Sequence, residues 1–335
     1  MDLLKVTSSP HMRHEDSTSI IMLDVIISLI PALIWGTYIF GTRALLMCAV
    51  SCASSVVFEF LYRKIMKKNC TISDLSAVVT GLLLAFTMPV SAPLWMPVIG
   101  TFFAIVIVKQ LYGGIGKNFV NPALAARVFL FIAFPSEMST FVKPRTVLSG
   151  FSSVHTDAIA SATPLESIKD GILPSYNKFE CFIGNIPGCI GEVSVLLLFA
   201  GALYLFVRRI ISWQIPFSYI LTVAIISYLF TPSGFDHIEY TIYQICTGGL
   251  VLGAFFMATD YSSSPLTNTG RIIYGVGCGL ITMFIRRFGG YPEGVSFAIL
   301  IMNCLVLPID KWTKPTAFGK KTTIPAGGNN SNEKK

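Results

Sequence analysis

Long apolar runs alternate with short polar segments along most of the chain. Many of these runs approach the roughly 20 residues that a helix needs to cross the hydrocarbon core of a membrane. The pattern predicts ten membrane-spanning helices, at residues 20–40, 44–62, 75–90, 94–111, 122–134, 193–207, 215–230, 241–258, 272–285 and 295–307. Basic clusters follow the second, sixth and tenth runs. Because positively charged helix ends tend to remain in the cytoplasm, we predict that both termini are cytoplasmic.

Two pairs of segments resemble each other across the middle of the chain. The pairs are "VVTGLLLAFTMP" (78–89) with "ICTGGLVLGAFFMATD" (245–260), and "YGGIGKNFVNPALAARVFL" (112–130) with "FGGYPEGVSFAILIMNCL" (288–305). By the count of spans, Thr80 and Gly81 are expected to begin a helix that runs outward, whereas Thr247 and Gly248 begin one that runs inward. The sequence therefore predicts two five-helix repeats of inverted topology.

This repeat divides an all-α, polytopic membrane protein into five parts. We expect a cytoplasmic N-terminal segment, a first five-helix repeat, an extracytoplasmic connection, a second five-helix repeat and a disordered cytoplasmic tail. Their boundaries are 1–19, 20–134, 135–192, 193–314 and 315–335.

The third and fifth spans of each half are short and rich in glycine and proline. In inverted-repeat membrane folds, such interrupted segments mark the place where broken helices direct their backbone ends at a binding site. Single glycines can instead serve close helix packing. The polar segments "GKNFVNPA" (116–123) and "GGYPEG" (289–294) together favour a ligand or ion site.

Composition supports a membrane protein and argues against several other classes. Of 335 residues, 53% are hydrophobic and 13% are charged, and the mean hydropathy is +0.66, which is too apolar for a soluble core. The net charge of +7 follows from basic helix ends, so it does not indicate nucleic-acid binding. The eight cysteines form no CxxC motif and the four histidines are scattered, which argues against a zinc or haem site. Cys181 and Cys189 could form a disulfide, but we expect them to be packing residues.

Several charged residues fall in or at the ends of the predicted spans. A charge at the centre of a bilayer costs at least about 3 kcal/mol, so such residues are candidates for function. We expect Glu59 to pair with Arg63, Lys109 to extend to the inner interface, and Arg127 to be paired or to lie near a carboxylate or a cofactor. The remaining candidates, for an ion path, are Asp24, Asp260 and Glu293.

The connection contains "DAIASATPLE" (157–166). Thr163 as N-cap, Pro164 at the first helical position and Glu166 at the third form a capping box, so a structural role alone explains the motif. The same helix start offers free N–H groups that can hold a phosphate.

Five ordered motifs resemble the RnfD family, which supplies a membrane subunit of the Rnf complex and is related to NqrB of the sodium-pumping quinone reductase. They are "SSPHMRHEDSTSIIMLDVIISLIPALIWG", "GKNFVNPALAARVFL", "DAIASATPLE", "GGLVLGAFFMATDYSSSPLT" and "YPEGVSFAILIMNCLVLPID", and they cover about residues 8–314. The resemblance implies a urea-transporter-like fold. It also implies FMN bound as a phosphoester to the last threonine of the motif, which is Thr163 here, with Asp157, Ser161 and Ala162 as matching positions. Ala160 departs from the pattern, in which a hydroxyl residue is frequent.

The same resemblance implies further cofactors and partners. Riboflavin would bind without a covalent bond among the helices, near Asn118, Asn121 and Pro122. The partners would be other membrane subunits, an extracytoplasmic FMN subunit, soluble iron–sulfur and NADH-binding subunits, a flavin transferase and membrane lipid. The chain would then pass electrons in a ferredoxin:NAD⁺ oxidoreductase that pumps Na⁺ or H⁺ across the bacterial inner membrane, without turnover by the isolated chain.

The residues alone leave two other functions possible. A passive solute channel or transporter could use the same inverted repeat. A structural scaffold would leave the interrupted helices unexplained. The threonine motif favours the electron carrier, because a channel has no use for it.

Overall fold

The computed structural model describes residues 17–142, 144, 163–172, 174, 176–192, 194–232, 234–291 and 293–315. Within these ranges every regular element is a helix, and a single isolated bridge pairs Pro89 with Cys189. The all-helical class predicted from the apolar runs is confirmed.

The first half contains α1 (Thr18–Phe40), α2 (Thr42–Ile65), α3 (Ser76–Phe86), α4 (Trp95–Phe102, continued by a π-helix over Phe103–Gln110) and α5 (Pro122–Ala133). The connection contributes the short helices α6 (Pro135–Ser139), α7 (Pro164–Lys169) and α8 (Lys178–Ile183), followed by a 3₁₀ turn over Ile190–Glu192.

The second half contains α9 (Val195–Val207), α10 (Gln214–Leu229), α11 (His237–Cys246), α12 (Leu250–Leu252, continued by a π-helix over Gly253–Met257), α13 (Asn268–Phe288), α14 (Val295–Cys304) and α15 (Val306–Thr313). Each predicted span coincides with one of these helices or with a bent pair of them.

Helix length decides which elements can cross a membrane alone. In the described chain, α1 and α2 are long and apolar enough to do so. Four spans result if each bent pair counts as one: α11 with α12 and its π-helix, bent by 60°, and α14 with α15, bent by 55°. The polytopic membrane class is thus supported, and the count of ten spans stays a prediction.

The third span of the second half is interrupted where the sequence predicted it. The chain breaks between α11 and α12, and Gly248 (φ 70°) and Gly249 (φ 64°) both adopt the left-handed conformation that favours glycine.

The corresponding prediction for Thr80 and Gly81 is wrong, because α3 begins earlier, at Ser76. The Asp74 carboxylate accepts a hydrogen bond from the Ser76 amide (3.0 Å) and so fixes this start. A Cβ at Gly81 would lie 2.7 Å from the Ser51 carbonyl oxygen, so this glycine lets α3 pack closely on α2.

The two halves pack by the same pattern. In each half the second helix contacts the fourth, as α2 contacts α4 and α10 contacts α13. The halves meet through their first helices, α1 and α9, and through their fifth helices, α5 and α14. This shared pattern favours a repeat.

A buried ion pair joins α2 to the end of α4. Lys109 Nζ donates to Glu59 Oε2 (2.8 Å) and to Ser76 Oγ (2.6 Å), and both charged side chains are nearly inaccessible, with Glu59 at 0% and Lys109 at 3% exposure. Gln110 donates to the other Glu59 oxygen (2.9 Å). The predicted Glu59–Arg63 pair and the extension of Lys109 to the interface are therefore wrong. The Lys109 ammonium instead finds its acceptors inside the bundle.

We expect Lys109→Met to lower the stability of the purified complex strongly, because the Glu59 carboxylate is left buried without its cation, at a cost of about 3–5 kcal/mol. Thermal unfolding in detergent measures the change. Removing the carboxylate as well, in Glu59→Leu/Lys109→Met, should restore part of the loss. Lys117→Met, which removes an exposed lysine, is the control. A melting temperature for Lys109→Met equal to that of the control would contradict the role of the pair.

Candidate functional site

One cavity, the asparagine cavity, has a volume of about 800 Å³, which includes space open to the surroundings. It is lined mainly by apolar side chains, together with Ser76, Thr80, Lys109, Asn118, Asn121, Pro122, Thr259, Asp260, Tyr261 and Ser262. The three predicted riboflavin positions thus share one cavity with one of the ion-path candidates.

The second cavity, the arginine cavity, encloses about 730 Å³ and is also partly open. Its wall combines one guanidinium and two carboxylates with aromatic rings. The lining residues are Arg127, Val128, Phe131, Ser139, Phe141, Glu166, Gly290, Tyr291, Glu293, Gly294, Ser296 and Phe297. The rings of Tyr291 and Phe297 lie nearly parallel (7°), with centroids 6.2 Å apart.

The two cavities lie toward opposite ends of the bundle. The start of α1 lines the asparagine cavity. The 3₁₀ turn near Arg127 packs against the residues that follow α3, and these lie at the opposite end of the bundle from the start of α1. Along α5 the Cα atoms of Asn121 and Arg127 are only six residues apart, or about 9 Å at ~1.5 Å per residue. The short helix α5 therefore carries residues of both cavities.

Asn121 fixes the start of α5 and joins it to the second half. Its Oδ1 accepts from the amides of Ala123 (3.0 Å) and Leu124 (3.3 Å), and its Nδ2 donates to the Met257 carbonyl (3.1 Å) at the end of the π-helix after α12. Asn121 is therefore the N-cap of α5. Asn118 donates to the Val120 carbonyl (3.0 Å), which holds the turn before α5.

Arg127 is paired, as predicted, and its partners come from distant parts of the chain. The guanidinium donates to the Glu293 carboxylate and to Ser296 Oγ (2.8 Å), and it lies 4.0 Å from Glu192 Oε1 and 3.7 Å from Cys189 Sγ. Gly294, and not Glu293, is the N-cap residue of α14.

Cys189, Glu192 and Glu293 offer ligand atoms within 4.8 Å of one another, a spacing that could hold a metal ion. The Arg127 guanidinium, however, contacts this set. A divalent cation would have to displace a buried arginine, so the arrangement favours an internally neutralised charge cluster over a metal site.

Arg286 stabilises the break between α11 and α12. Its guanidinium donates to the carbonyls of Gln244 (2.6 Å), Thr247 (3.1 Å) and Glu293 (3.0 Å) and to the Gln244 amide oxygen (2.8 Å). The carbonyl oxygens of Gln244 and Thr247 lack intrahelical N–H partners because the helix is interrupted, and the Arg286 guanidinium replaces those donors. Sequence reasoning missed this role of Arg286.

Glu192, in the 3₁₀ turn before α9, is a titratable group that the sequence did not single out. Burial raises its pKa to about 7, the neighbouring Glu293 charge adds to the rise, and Arg127 opposes it. Its Oε1 has no hydrogen-bond partner among the described residues. Its position near the end of a polar connection gave no signal of burial.

Thr163 is the N-cap of α7, as predicted, and its Oγ accepts from the Glu166 amide (3.2 Å). Glu166 lines the arginine cavity, and Lys169 Nζ donates to the Gly289 (2.6 Å) and Gly290 (2.8 Å) carbonyls beside it. The helix that begins at Thr163 is therefore docked on this cavity. The other motif positions, Asp157, Ser161 and Ala162, lie outside the described residues.

The ion-path candidates do not converge. Asp24 accepts from Tyr204 Oη (2.7 Å) and from Arg208 (3.0 Å). Asp260 accepts from Ser262 (2.9 Å) and Ser263 (3.0 Å). Both lie toward the end of the bundle that holds the asparagine cavity, whereas Glu293 belongs to the arginine cavity.

The cysteines are thiols. Cys181 packs in a small buried cluster with Ile168, Ile186, Tyr240 and Tyr243, and Cys189 packs beside Arg127. Their predicted role as packing residues agrees with this arrangement.

Comparisons with known proteins find relatives along almost the whole chain. The family model described as NQR2, RnfD, RnfE matches residues 5–319. The subunit designated D in the Na⁺-translocating ferredoxin:NAD⁺ oxidoreductase complex of Acetobacterium woodii is 49% identical over 320 residues, covering 94% of this chain and 95% of that protein. The subunit of the same designation in the proton-translocating complex of Clostridium ljungdahlii is 39% identical over 332 residues (96% and 97%). Its counterpart in an ion-translocating oxidoreductase complex of Escherichia coli O127:H6 is 34% identical over 352 residues (95% and 99%).

The raised pKa of Glu192 makes stability depend on pH. Because the folded protein holds this proton more tightly than the unfolded chain, whose carboxyl titrates near 4.5, Glu192 costs stability as the pH rises from about 4.5 through about 7. We expect Glu192→Gln to be more stable than the wild type above pH 7, by up to about 3 kcal/mol, and to lose this advantage near pH 5. Melting temperatures at pH 5, 6, 7 and 8 test this. Glu166→Gln, which changes an exposed carboxylate of the arginine cavity, should show no such trend. Parallel pH profiles for the wild type and Glu192→Gln would refute the expectation.

Proposed function

Because the chain belongs to the NQR2, RnfD, RnfE family, we propose that it is a subunit of an ion-translocating ferredoxin:NAD⁺ oxidoreductase complex and that it carries electrons on an FMN esterified to Thr163. The observation that carries the flavin proposal is the docking of α7. The helix begins at Thr163, and three residues later Glu166 forms part of the wall that also contains Arg127.

The arginine cavity suits a flavin ring. Phe131, Tyr291 and Phe297 line it and supply apolar aromatic surface. The Arg127 guanidinium at its wall is already paired with Glu293, so it contributes an ordered polar group rather than a net positive charge.

The asparagine cavity is proposed to hold riboflavin. The Asn118 and Asn121 amides and the Lys109 ammonium offer hydrogen-bonding groups of the kind that recognise the polar edge of a flavin, within an otherwise mainly apolar wall. Asn121 already uses both of its amide atoms in capping α5 and binding Met257. Asn118 uses only its Nδ2 for Val120, so its oxygen is the better candidate for ligand contact.

A flavin supplies the one- and two-electron chemistry, and the residues of this chain set its position and environment. Since α5 contributes Asn121 to one cavity and Arg127 to the other, it would hold the two flavins at a fixed separation. Asp260 lines the asparagine cavity and Glu293 lines the arginine cavity, so two of the ion-path candidates lie beside a proposed flavin site.

The complex would lie in the bacterial cytoplasmic membrane, with both termini of this chain in the cytoplasm. Its other subunits would include membrane subunits, an extracytoplasmic FMN subunit and soluble iron–sulfur and NADH-binding subunits, and a flavin transferase would attach the FMN. The relatives at 49% and 39% identity are named for sodium and proton translocation, respectively, so family membership fits either ion. The same membership favours the electron carrier over the passive channel.

We expect Thr163→Asn to abolish the covalent flavin while keeping the fold. Asparagine is as good an N-cap as threonine, so the bond to the Glu166 amide is retained, but the hydroxyl that would form the ester is lost. The readouts are yellow fluorescence of the denatured band under ultraviolet light and the mass of the peptide that contains residue 163. Thr140→Val, another hydroxyl of the connection, is the matched control. An unmodified peptide in wild-type protein from its native host would exclude the proposal.

We expect Asn118→Leu to lower the flavin released by acid precipitation and to leave the covalent flavin unchanged, because only the asparagine cavity is altered. Chromatography of the released flavin and in-gel fluorescence of the pellet measure the two pools separately. Thr163→Asn should give the opposite result. If Asn118→Leu reduces both pools together, the two cavities do not hold separate flavins.

A further inference from the structure

A third cavity, the basic pocket, lies at the ends of α9 and α12 and the starts of α10 and α13. It encloses about 510 Å³ and carries two guanidinium groups and no carboxylate among its lining residues: Arg209, Ile210, Ile211, Ser212, Ile215, Thr259, Tyr261, Ser264 and Arg271. Neither the flavin sites nor the ion-path candidates account for this concentration of positive charge.

Both arginines keep hydrogen-bonding capacity for a ligand. Arg271 Nε donates to the Pro265 carbonyl (3.1 Å), and its two terminal nitrogens have no partner among the described residues. The Arg209 side chain likewise makes no hydrogen bond or ion pair within that part of the chain. By contrast, the adjacent Arg208 forms an ion pair with Asp24. A carboxylate is therefore present at this end of the bundle, but it pairs with Arg208 and not with the two arginines of the pocket. Guanidinium groups bind phosphate oxygens strongly and with defined geometry.

An apolar channel on the outer surface, the aromatic groove, begins beside this pocket. It is lined by Phe199, Phe206, Trp213, Pro216, Phe217, Ile220, Leu221, Ala224 and Phe255. From Trp213 to Ala224 along α10 it extends over eleven residues, or about 16 Å at ~1.5 Å per residue. One leaflet of a hydrocarbon core is about 15 Å thick. The groove therefore has the length of one acyl chain in one leaflet.

The aromatic residues at the junction indicate the depth of the site. Trp213 is 59% exposed and Tyr261 is 54% exposed, where the basic pocket meets the aromatic groove. Trp and Tyr with such exposure are typical of the level of lipid headgroups. By the positive-inside rule, this end of the bundle is the one predicted to face the cytoplasm.

We propose that the basic pocket and the aromatic groove together bind one anionic phospholipid of the cytoplasmic leaflet, with its phosphate between Arg209 and Arg271 and one acyl chain along α10. A charged pocket between membrane helices on the cytoplasmic side is the arrangement that recognises anionic headgroups. A free phosphate would explain the arginines but not the groove, and a neutral lipid would explain the groove but not the arginines.

The test uses the whole complex, stripped of lipid and returned to nanodiscs made of either dioleoyl phosphatidylglycerol or dioleoyl phosphatidylcholine. Native mass spectrometry counts the lipid molecules that the complex retains. We expect the wild type to retain phosphatidylglycerol preferentially. In Arg209→Gln/Arg271→Gln this retention should weaken by roughly thirtyfold, the effect of two basic groups near a membrane surface. Lys311→Gln/Lys314→Gln makes the same change of charge at the same end of the molecule, outside the pocket, and should retain the lipid as the wild type does.

A second variant tests the acyl chain independently of charge. Ala224→Phe fills the deep end of the groove, so it should weaken retention of the dioleoyl lipid while leaving dihexanoyl phosphatidylglycerol unaffected. Equal retention by the double arginine variant and the lysine control would overturn the proposal, as would equal retention of the two headgroups. Displacement of the lipid by inorganic phosphate would show a phosphate site instead. Loss of a neighbouring subunit from the arginine variant, without loss of lipid, would identify the surface as a protein contact.

Discussion

The pairing of Arg127 is the constraint on which the arrangement of the two halves depends. A cation within a short membrane helix is costly unless it is neutralised, and among the described residues its carboxylate partners all lie outside the first half. Its partners are Glu293 and Ser296 at the start of α14, with Glu192 of the connection nearby. Six residues earlier, Asn121 bonds to the Met257 carbonyl. The helix α5 is thus attached to the second half at two levels, and its position is determined by that half.

This attachment has a direct bearing on the two internal cavities. The break before α12 lies at the Arg127 level, where a Cβ on Gly249 would meet the Glu192 carboxylate, and six residues later Phe255 lines the asparagine cavity. The helix α5 from the first half and the helix α12 with its π-helix from the second half therefore both extend from the level of Arg127 to the asparagine cavity. For the proposed flavins, a pair of helices held in this way would fix distance and environment, which are the quantities that the protein controls.

The sequence predicted those features that depend on local composition. Apolar length gave the helix positions, the paired glycines 248 and 249 gave the break, and the Thr-Pro-x-Glu spacing gave the start of α7 at Thr163. Features that depend on long-range packing were missed. Glu59 and Lys109 are fifty residues apart, so the sequence offered the nearer Arg63 as a partner. Arg286 and Glu192 stand at polar helix ends, where topology already explains a charge, and only the fold shows that they are buried.

The pairing of Arg127 also has a consequence for how the chain is made. Glu293 follows Arg127 by 166 residues, which at ~5–20 residues per second of synthesis is a delay of roughly 8–33 s. During this interval the carboxylate available to Arg127 is that of Glu192, which follows it by 65 residues and lies 4.0 Å from it in the folded chain. The contact that ties α5 to α14 therefore forms only when most of the chain has been made, and a truncated product that lacks α14 leaves Arg127 without the carboxylate to which it donates.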